Sequence, residues 1–135
     1  MKSFKVIAVL MALSLVNLLA QNSEELFSQK CAICHTTTKP TPEARSSFVA
    51  PPVMGVMFHV KEAFGGDKQK VIAFIKDYVL EPSEKKAKCL PKSIKRFGLM
   101  PSQKGNVTEE ELEKIAEYMY ENFPQRGFEP KQQRY

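Results

Sequence analysis

The stretch Cys31-Ala32-Ile33-Cys34-His35 determines how the rest of this 135-residue chain is interpreted. Two cysteines three positions apart lie on the same side of a helical turn, so both thiols can reach the two vinyl groups of one porphyrin. The histidine that follows can point its imidazole at the iron. This C-x-x-C-H pattern is typical of covalent haem attachment. A redox dithiol would lie in a βαβ pattern and a zinc site needs four ligands, and the sequence shows neither feature.

Two further stretches and a closing helix follow the motif in an order that resembles the small soluble class I c-type cytochromes. The stretches are Ala50-Pro51-Pro52-Val53-Met54-Gly55 and Gly98-Leu99-Met100-Pro101. The resemblance covers almost the whole chain after residue 20. It implies an all-α, cytochrome c-like fold, in which several short helices surround one covalently bound haem c and the last helix crosses the first.

The resemblance also implies a role for Pro51. Its backbone carbonyl would accept a hydrogen bond from the ring nitrogen of His35 that does not bind iron, and would thereby orient the imidazole. From the residues alone, the pair Pro51-Pro52 is explained equally well by a loop that simply turns.

The first twenty residues have the layout of a secretory signal. Lys2 and Lys5 give a positive start, residues 6–20 form an apolar run, and the chain becomes polar at Gln21. The run is shorter than the roughly 20 apolar residues of a membrane-spanning helix, which favours cleavage after Ala20 over an uncleaved anchor.

These observations predict a signal peptide at residues 1–20 and a monohaem cytochrome c domain at residues 21–135, since the length fits one domain and the chain contains one C-x-x-C-H pattern. We expect the protein to be periplasmic and not inserted in the membrane once the signal is cleaved. Export agrees with the resemblance, because haem is normally attached in that family on the outer side of the cytoplasmic membrane.

Helix caps and breakers divide the remaining chain into five predicted helices and no strand. Their predicted beginnings are Ser23, Val53, Asp67, Ser83 and Thr108. Their predicted ends are the haem motif, Gly65-Gly66, Glu81, Pro91 and Pro124. The strongest start is Thr108-Glu109-Glu110-Glu111, which is a capping box. Residues 36–52 and 92–106 are predicted to be loops, the second an extended one around the haem edge.

The residue on the other face of the iron decides the function. The candidates are Met54, Met57, His59, Met100 and Met119. Met100 is favoured because its loop is bounded by glycines, is stiffened by Pro101 and directly precedes the last helix, as in the family. The other methionines are expected to pack, with Met54 and Met57 lining the cavity, and His59 remains the rival ligand. Ligation by His35 and Met100 raises the reduction potential.

Charge is unevenly distributed along the chain, whose net charge is +5. Residues 81–104 contain two glutamates and seven basic residues: Lys85, Lys86, Lys88, Lys92, Lys95, Arg96 and Lys104. Residues 108–123 contain six glutamates and only one lysine. Such an asymmetry can orient an encounter with a charged partner. The remaining cysteine, Cys89, is explained either as a small buried apolar residue or as a thiol that pairs between molecules or is reactive.

The sequence therefore predicts an electron carrier and not an enzyme: an exported monohaem cytochrome that exchanges one electron at a time with redox proteins bearing acidic docking surfaces. No nucleic-acid partner is expected. Two alternatives stay open. One is a haem-bearing subunit of a periplasmic oxidoreductase complex, and the other is a ligand-binding or sensing haem protein whose distal site is open.

Overall fold

The computed structural model describes residues 22–39 and 41–130, and the predicted signal at residues 1–20 lies outside them. Within the described residues the chain forms α helices, one 3-10 helix and no strand, so the predicted all-α, cytochrome c-like class is confirmed. In chain order the elements are α1 (Ser23–Lys30), the 3-10 helix (Ala44–Ser47), α2 (Val53–Ala63), α3 (Lys68–Leu80), α4 (Pro91–Phe97) and α5 (Glu109–Asn122). None of these helices is long and apolar enough to cross a lipid bilayer.

Side-chain caps fix the starts of three helices. The Asp67 carboxylate accepts a hydrogen bond from the Lys70 backbone N–H at 3.1 Å and starts α3 as predicted. The predicted capping box at α5 is present, with Thr108 and Glu111 each accepting the other's backbone N–H. The first helix begins one residue earlier than predicted, because Asn22 and not Ser23 is the N-cap. Asparagine is as good an N-cap as serine, so the sequence does not distinguish them.

The prediction for residues 83–97 was wrong. Ser83 starts a single turn, in which its carbonyl accepts from the backbone N–H groups of Lys86 and Ala87, and no helix runs on to Cys89. Pro91 begins α4 instead of ending a helix. A proline fits the first helical position because its missing N–H has no partner there in any case. Part of the predicted extended loop is therefore α4, which ends at Gly98 with φ of 75°.

The core forms where α5 packs against both α1 and α3. Leu26 and Phe27 of α1 are buried in the same cluster as Ile115, as the resemblance implies. Burying each such side chain contributes about 1.5–3 kcal/mol. The Phe27 ring also packs on Tyr118, at 5.4 Å between ring centroids. Tyr120 packs against the same cluster and donates its hydroxyl to the Gly66 carbonyl at 2.6 Å.

Candidate haem site

One large cavity brings together every residue that the sequence predicts to bind haem. Its volume is about 360 Å³, and its lining includes Cys31, Cys34, His35, Pro51 and Met100. Most of the remaining wall is apolar and comes from α2, α3, α4 and α5. Ligand sites in proteins are mostly apolar cavities of roughly 300–1,000 Å³ with a few placed polar groups. The cavity therefore has the size and character of a cofactor site.

The haem motif forms a tight turn directly after α1. The Cys31 backbone N–H caps α1 by donating to the Phe27 carbonyl, and the Cys31 carbonyl accepts from Cys34 and His35 at 3.1 and 2.9 Å. Both thiols therefore lie on one turn at the cavity wall. Burial, with a smaller contribution from Cys34, raises the pKa of the Cys31 thiol to about 11, so this thiol is protonated at neutral pH.

His35 is held by the segment that precedes α2. Its Nδ1 lies 2.8 Å from the Pro51 carbonyl oxygen, and a bond from the Val53 backbone N–H to the Thr36 carbonyl ties the two segments together. When Nδ1–H donates to this carbonyl, Nε2 is left without a proton and can bind a metal. Burial lowers the pKa of His35, and the bond to Pro51 only partly opposes that effect. The imidazole is therefore neutral at neutral pH, as metal binding requires.

Three of the candidate methionines line the cavity: Met57, Met100 and Met119. Met57 is fully buried on α2, which follows Pro51 and so lies next to the segment that holds His35. Met119 is on α5 and packs against the core. Met100 is half-buried in the loop between α4 and α5. Met54 was predicted to line the cavity, but it is not on the cavity wall and packs against the core cluster.

His59 does not line this cavity but a separate recess of about 80 Å³. Its Nδ1 lies 3.5 Å from the Glu62 carboxylate, and its ring makes an edge contact with Phe58 at 5.3 Å between centroids. These contacts are those of a structural histidine.

The side chains in the large cavity suit haem c. Two thiols are available for the vinyl groups, one neutral imidazole nitrogen and a methionine thioether such as that of Met100 are available as axial ligands, and the apolar wall suits the porphyrin faces. Several wall residues were not predicted from the sequence: the polar residues Lys30, Tyr78, Ser93, Gln103 and Asn106, and also Phe97. Ser93 and Phe97 are four residues apart in α4, and Pro91 at its first position was the signal that could have located that helix.

Cys89 also lies half-buried on the wall of the large cavity. Burial raises the pKa of its thiol, which makes it a poor nucleophile at neutral pH. This placement agrees with the interpretation of Cys89 as a small apolar residue.

Comparison with known proteins agrees with this site. Residues 19–119 match the model of a family described as "Cytochrome C oxidase, cbb3-type, subunit III". A protein of Aquifex aeolicus (strain VF5), named "Uncharacterized protein", is 33% identical over 117 residues, which are 78% of this chain and 76% of that one. No solved structure matches the chain. The chain belongs to the cbb3-type cytochrome c oxidase subunit III family, and it is a class I-like c-type cytochrome.

Proposed function

We propose that this protein is a one-electron carrier whose single haem c is attached through Cys31 and Cys34, with His35 and Met100 as axial ligands. The observation that supports this most is the single apolar cavity lined by all four residues, together with the 2.8 Å contact from His35 to the Pro51 carbonyl. The haem, when bound, supplies a reversible one-electron couple.

The protein's own residues set the properties of that couple. Pro51 fixes the orientation of the His35 ring and makes its free nitrogen more basic. A thioether from Met100 favours ferrous over ferric iron, and the apolar wall excludes water from the site. With His35 and Met100 both bound, no position is left for a substrate. The proposed protein is therefore a carrier and not an enzyme.

Two measurements on the purified protein test this proposal. The denatured polypeptide should keep its colour through acid–acetone extraction and exceed the mass of the mature chain by one haem. Spectroelectrochemical titration should follow a single one-electron Nernst curve. Loss of the haem on extraction from the wild-type protein, or persistent catalytic turnover with peroxide, would argue against it.

Export is part of the proposal. It is supported by the positive start, the apolar run and the polar boundary at Gln21. N-terminal sequencing of the native protein should give Gln21 as the first residue, and a retained Met1 would contradict cleavage.

We infer that the docking surface for an acidic partner is formed by four lysines of the basic segment: Lys85, Lys88, Lys92 and Lys95. They are exposed and have no ion pair with any described residue. They also alternate along the chain with Cys89, Ser93, Ile94 and Phe97, which line the large cavity.

The other three basic residues of that segment are engaged within the protein. Lys86 pairs with Asp77 at 2.9 Å, Lys104 pairs with Glu81 at 2.6 Å, and Arg96 donates to the Arg45 carbonyl. Because their charges are already partnered within the protein, we leave these three residues out of the proposed docking surface.

A second candidate function is a haem-bearing subunit of an oxidoreductase complex, which the description of the matched family favours. Three large apolar side chains are exposed at or near the haem motif and the cavity rim and could contact such a complex: Ile33, Val49 and Leu99. Size-exclusion chromatography of the native protein distinguishes the two functions, since a free carrier elutes at the size of one small chain.

A further inference from the structure

The last turn of α3 has carbonyl groups that the helix itself does not use. The last four carbonyls of an α-helix have no partner further along the helix. The Glu81 backbone N–H donates to the Asp77 carbonyl, but the next residue, Pro82, has no N–H with which to continue the series. The carbonyls of Val79 and Leu80 at the end of α3 are therefore available to donors from elsewhere in the chain.

Both carbonyls accept hydrogen bonds from residues that follow Met100. The Ser102 hydroxyl donates to the Leu80 carbonyl at 2.6 Å, and these two residues are 22 positions apart in the chain. The Gln103 backbone N–H donates to the Val79 carbonyl at 3.0 Å. The segment after Met100 is thus attached to the end of α3 at two consecutive residues.

An ion pair supports this attachment at the next residue. The Lys104 ammonium contacts the Glu81 carboxylate at 2.6 Å, and Lys86 approaches the same carboxylate at 3.8 Å while pairing with Asp77 at 2.9 Å. The hydrogen bond from Lys104, together with its charge, holds the pKa of Glu81 below its ordinary value, so the carboxylate is ionised at neutral pH. Because Lys104 and Glu81 are exposed, their pair contributes less than the two hydrogen bonds to carbonyls.

The attachment lies close enough to Met100 to restrict its backbone. Pro101 separates Met100 from Ser102, and the proline ring fixes its φ at about −65°. The Gln103 side-chain amide donates to the Pro101 carbonyl at 2.9 Å. On the other side of Met100, Gly98 is the C-cap of α4. Met100 is therefore held between the end of α4 and the attachment to α3, two positions from each.

We propose that the end of α3 positions the Met100 thioether for the iron and that Ser102 is the principal positioning residue. The Lys104–Glu81 pair gives weaker support. A loop that is held on both sides loses little conformational freedom when its sulfur binds, so a smaller entropy cost opposes the bond to iron. This inference rests on the ligation by Met100 proposed above. It adds that the ligation depends on Ser102, Lys104 and Glu81, none of which lines the cavity.

An external ligand measures how often the thioether leaves the iron. Imidazole binds ferric iron only when the sixth position is open, so its apparent affinity rises in proportion to the fraction of open molecules. The sulfur-to-iron charge-transfer band of the ferric protein reports the ligand bond itself. A merely structural role would lower the free energy of unfolding and leave both of these measurements unchanged.

The experiment uses the full holoprotein with three test variants and two controls. Ser102→Ala removes the hydroxyl, and Ser102→Thr keeps one at the same position. Ser47→Ala is the matched control, since that hydroxyl also donates to a backbone carbonyl, at 2.8 Å, but lies outside the Met100 loop. Lys104→Gln removes the ion pair. Its control is Lys68→Gln, which removes another exposed pair of α3, with an N–O distance of 2.9 Å.

Ser102→Ala should raise the apparent affinity for imidazole about two- to tenfold, the change expected from the loss of one ordinary hydrogen bond. It should also weaken the charge-transfer band. Ser102→Thr should lie closer to the wild type, Lys104→Gln should show a smaller increase, and both controls should match the wild type. An unchanged affinity in Ser102→Ala, or an equal increase in Ser102→Thr or Ser47→Ala, would overturn the inference. A wild-type ferric protein without the charge-transfer band would instead overturn ligation by Met100, and this inference with it.

Discussion

Among the individual residues of the site, His35 and Met100 are held by different segments of the chain. His35 lies in a hydrogen-bonded turn and has a second contact, at 2.8 Å, to the Pro51 carbonyl. Met100 is half-buried in a loop between two glycines of positive φ, Gly98 at 75° and Gly105 at 83°. The proposed thioether ligand therefore lies on a segment separate from the one that holds His35, and its removal tests the ligand assignment without disturbing His35.

Replacing Met100 with alanine should open the sixth position of the iron. The reduction potential should fall by a sizeable part of the roughly 0.8 V range that axial ligands span, since the thioether favours ferrous iron. Ferrous protein should then bind carbon monoxide, which is measured optically. Met57→Ala is the matched control: it should lower the free energy of unfolding by about 2–5 kcal/mol and leave the ligand bands unchanged. Equal spectra and potentials for Met100→Ala and the wild type would exclude Met100 as the ligand.

The residues that sequence reasoning identified are those with local patterns. Cys31, Cys34 and His35 are recognised by spacing alone, and Met100 by its position before the last helix. Ser93 and Tyr78 have no such pattern, because a hydroxyl on a helix is normally solvated or bonded to a carbonyl. Only the packing of α3 and α4 brings these two hydroxyls to the cavity wall, where they have no partner among the residues that the structure describes.

At the scale of the elements, helix starts that depend on neighbouring residues can be predicted from the sequence, and those that depend on tertiary contacts cannot. Asp67 and Thr108 cap α3 and α5 as predicted because a side-chain cap depends on three or four neighbouring residues. Proline gives no such unique signal, since it can end one helix or start the next. At Pro91, contacts with residues far away in the sequence determine that a helix starts. Arg96 of α4 donates to the Arg45 carbonyl, and Ser93 and Phe97 reach the cavity.

The cap of α3 makes stability depend on pH in a predictable direction. The Lys70 backbone N–H holds the pKa of Asp67 below its ordinary value of 3.8. A lowered folded-state pKa contributes stability above that ordinary value, and this stability is lost as the pH falls through the folded-state pKa. Asp67→Asn should keep the cap, because asparagine caps equally well, but it removes the titration.

Denaturant unfolding between pH 7 and pH 2 checks this prediction. Asp67→Asn should lose less stability than the wild type between about pH 4 and pH 2. Glu84→Gln is the control, since Glu84 is exposed and has no ion pair with a described residue. If the free energies of unfolding of Asp67→Asn and the wild type fell in parallel with pH, titration of Asp67 would not contribute to the acid dependence of stability.

At the scale of the whole molecule, the charge asymmetry is weaker than the sequence suggests. Three glutamates of α5 are paired with lysines: Glu113 with Lys76, Glu121 with Lys68 and Glu110 with Lys114. On the basic side, Lys86 and Lys104 are also paired within the protein. The positions of charged residues in the sequence do not show which side chains form ion pairs in the folded protein, so all of them are counted as free charges. The exposed lysines without an ion pair are the ones left to attract a partner.

The double variant Lys85→Glu, Lys88→Glu should slow electron transfer to an acidic partner by about tenfold or more at low salt, because it reverses the steering field. The difference should shrink as salt screens the charges. Stopped-flow kinetics at several ionic strengths measure it. The charge-matched control is Lys70→Glu, Arg126→Glu, two exposed cations outside the basic segment. Equal low-salt rates for the two double variants would show that Lys85 and Lys88 do not form the docking surface.

The most direct test of the electron-carrier assignment is the optical spectrum of the reduced wild-type protein before and after carbon monoxide is added. Six-coordinate iron held by His35 and Met100 has no free position, so the account predicts that the ferrous spectrum stays unchanged. A rapid shift of the spectrum on addition of carbon monoxide would contradict it. That result would mean an open distal site, and a ligand-binding or sensing function would then replace electron transfer.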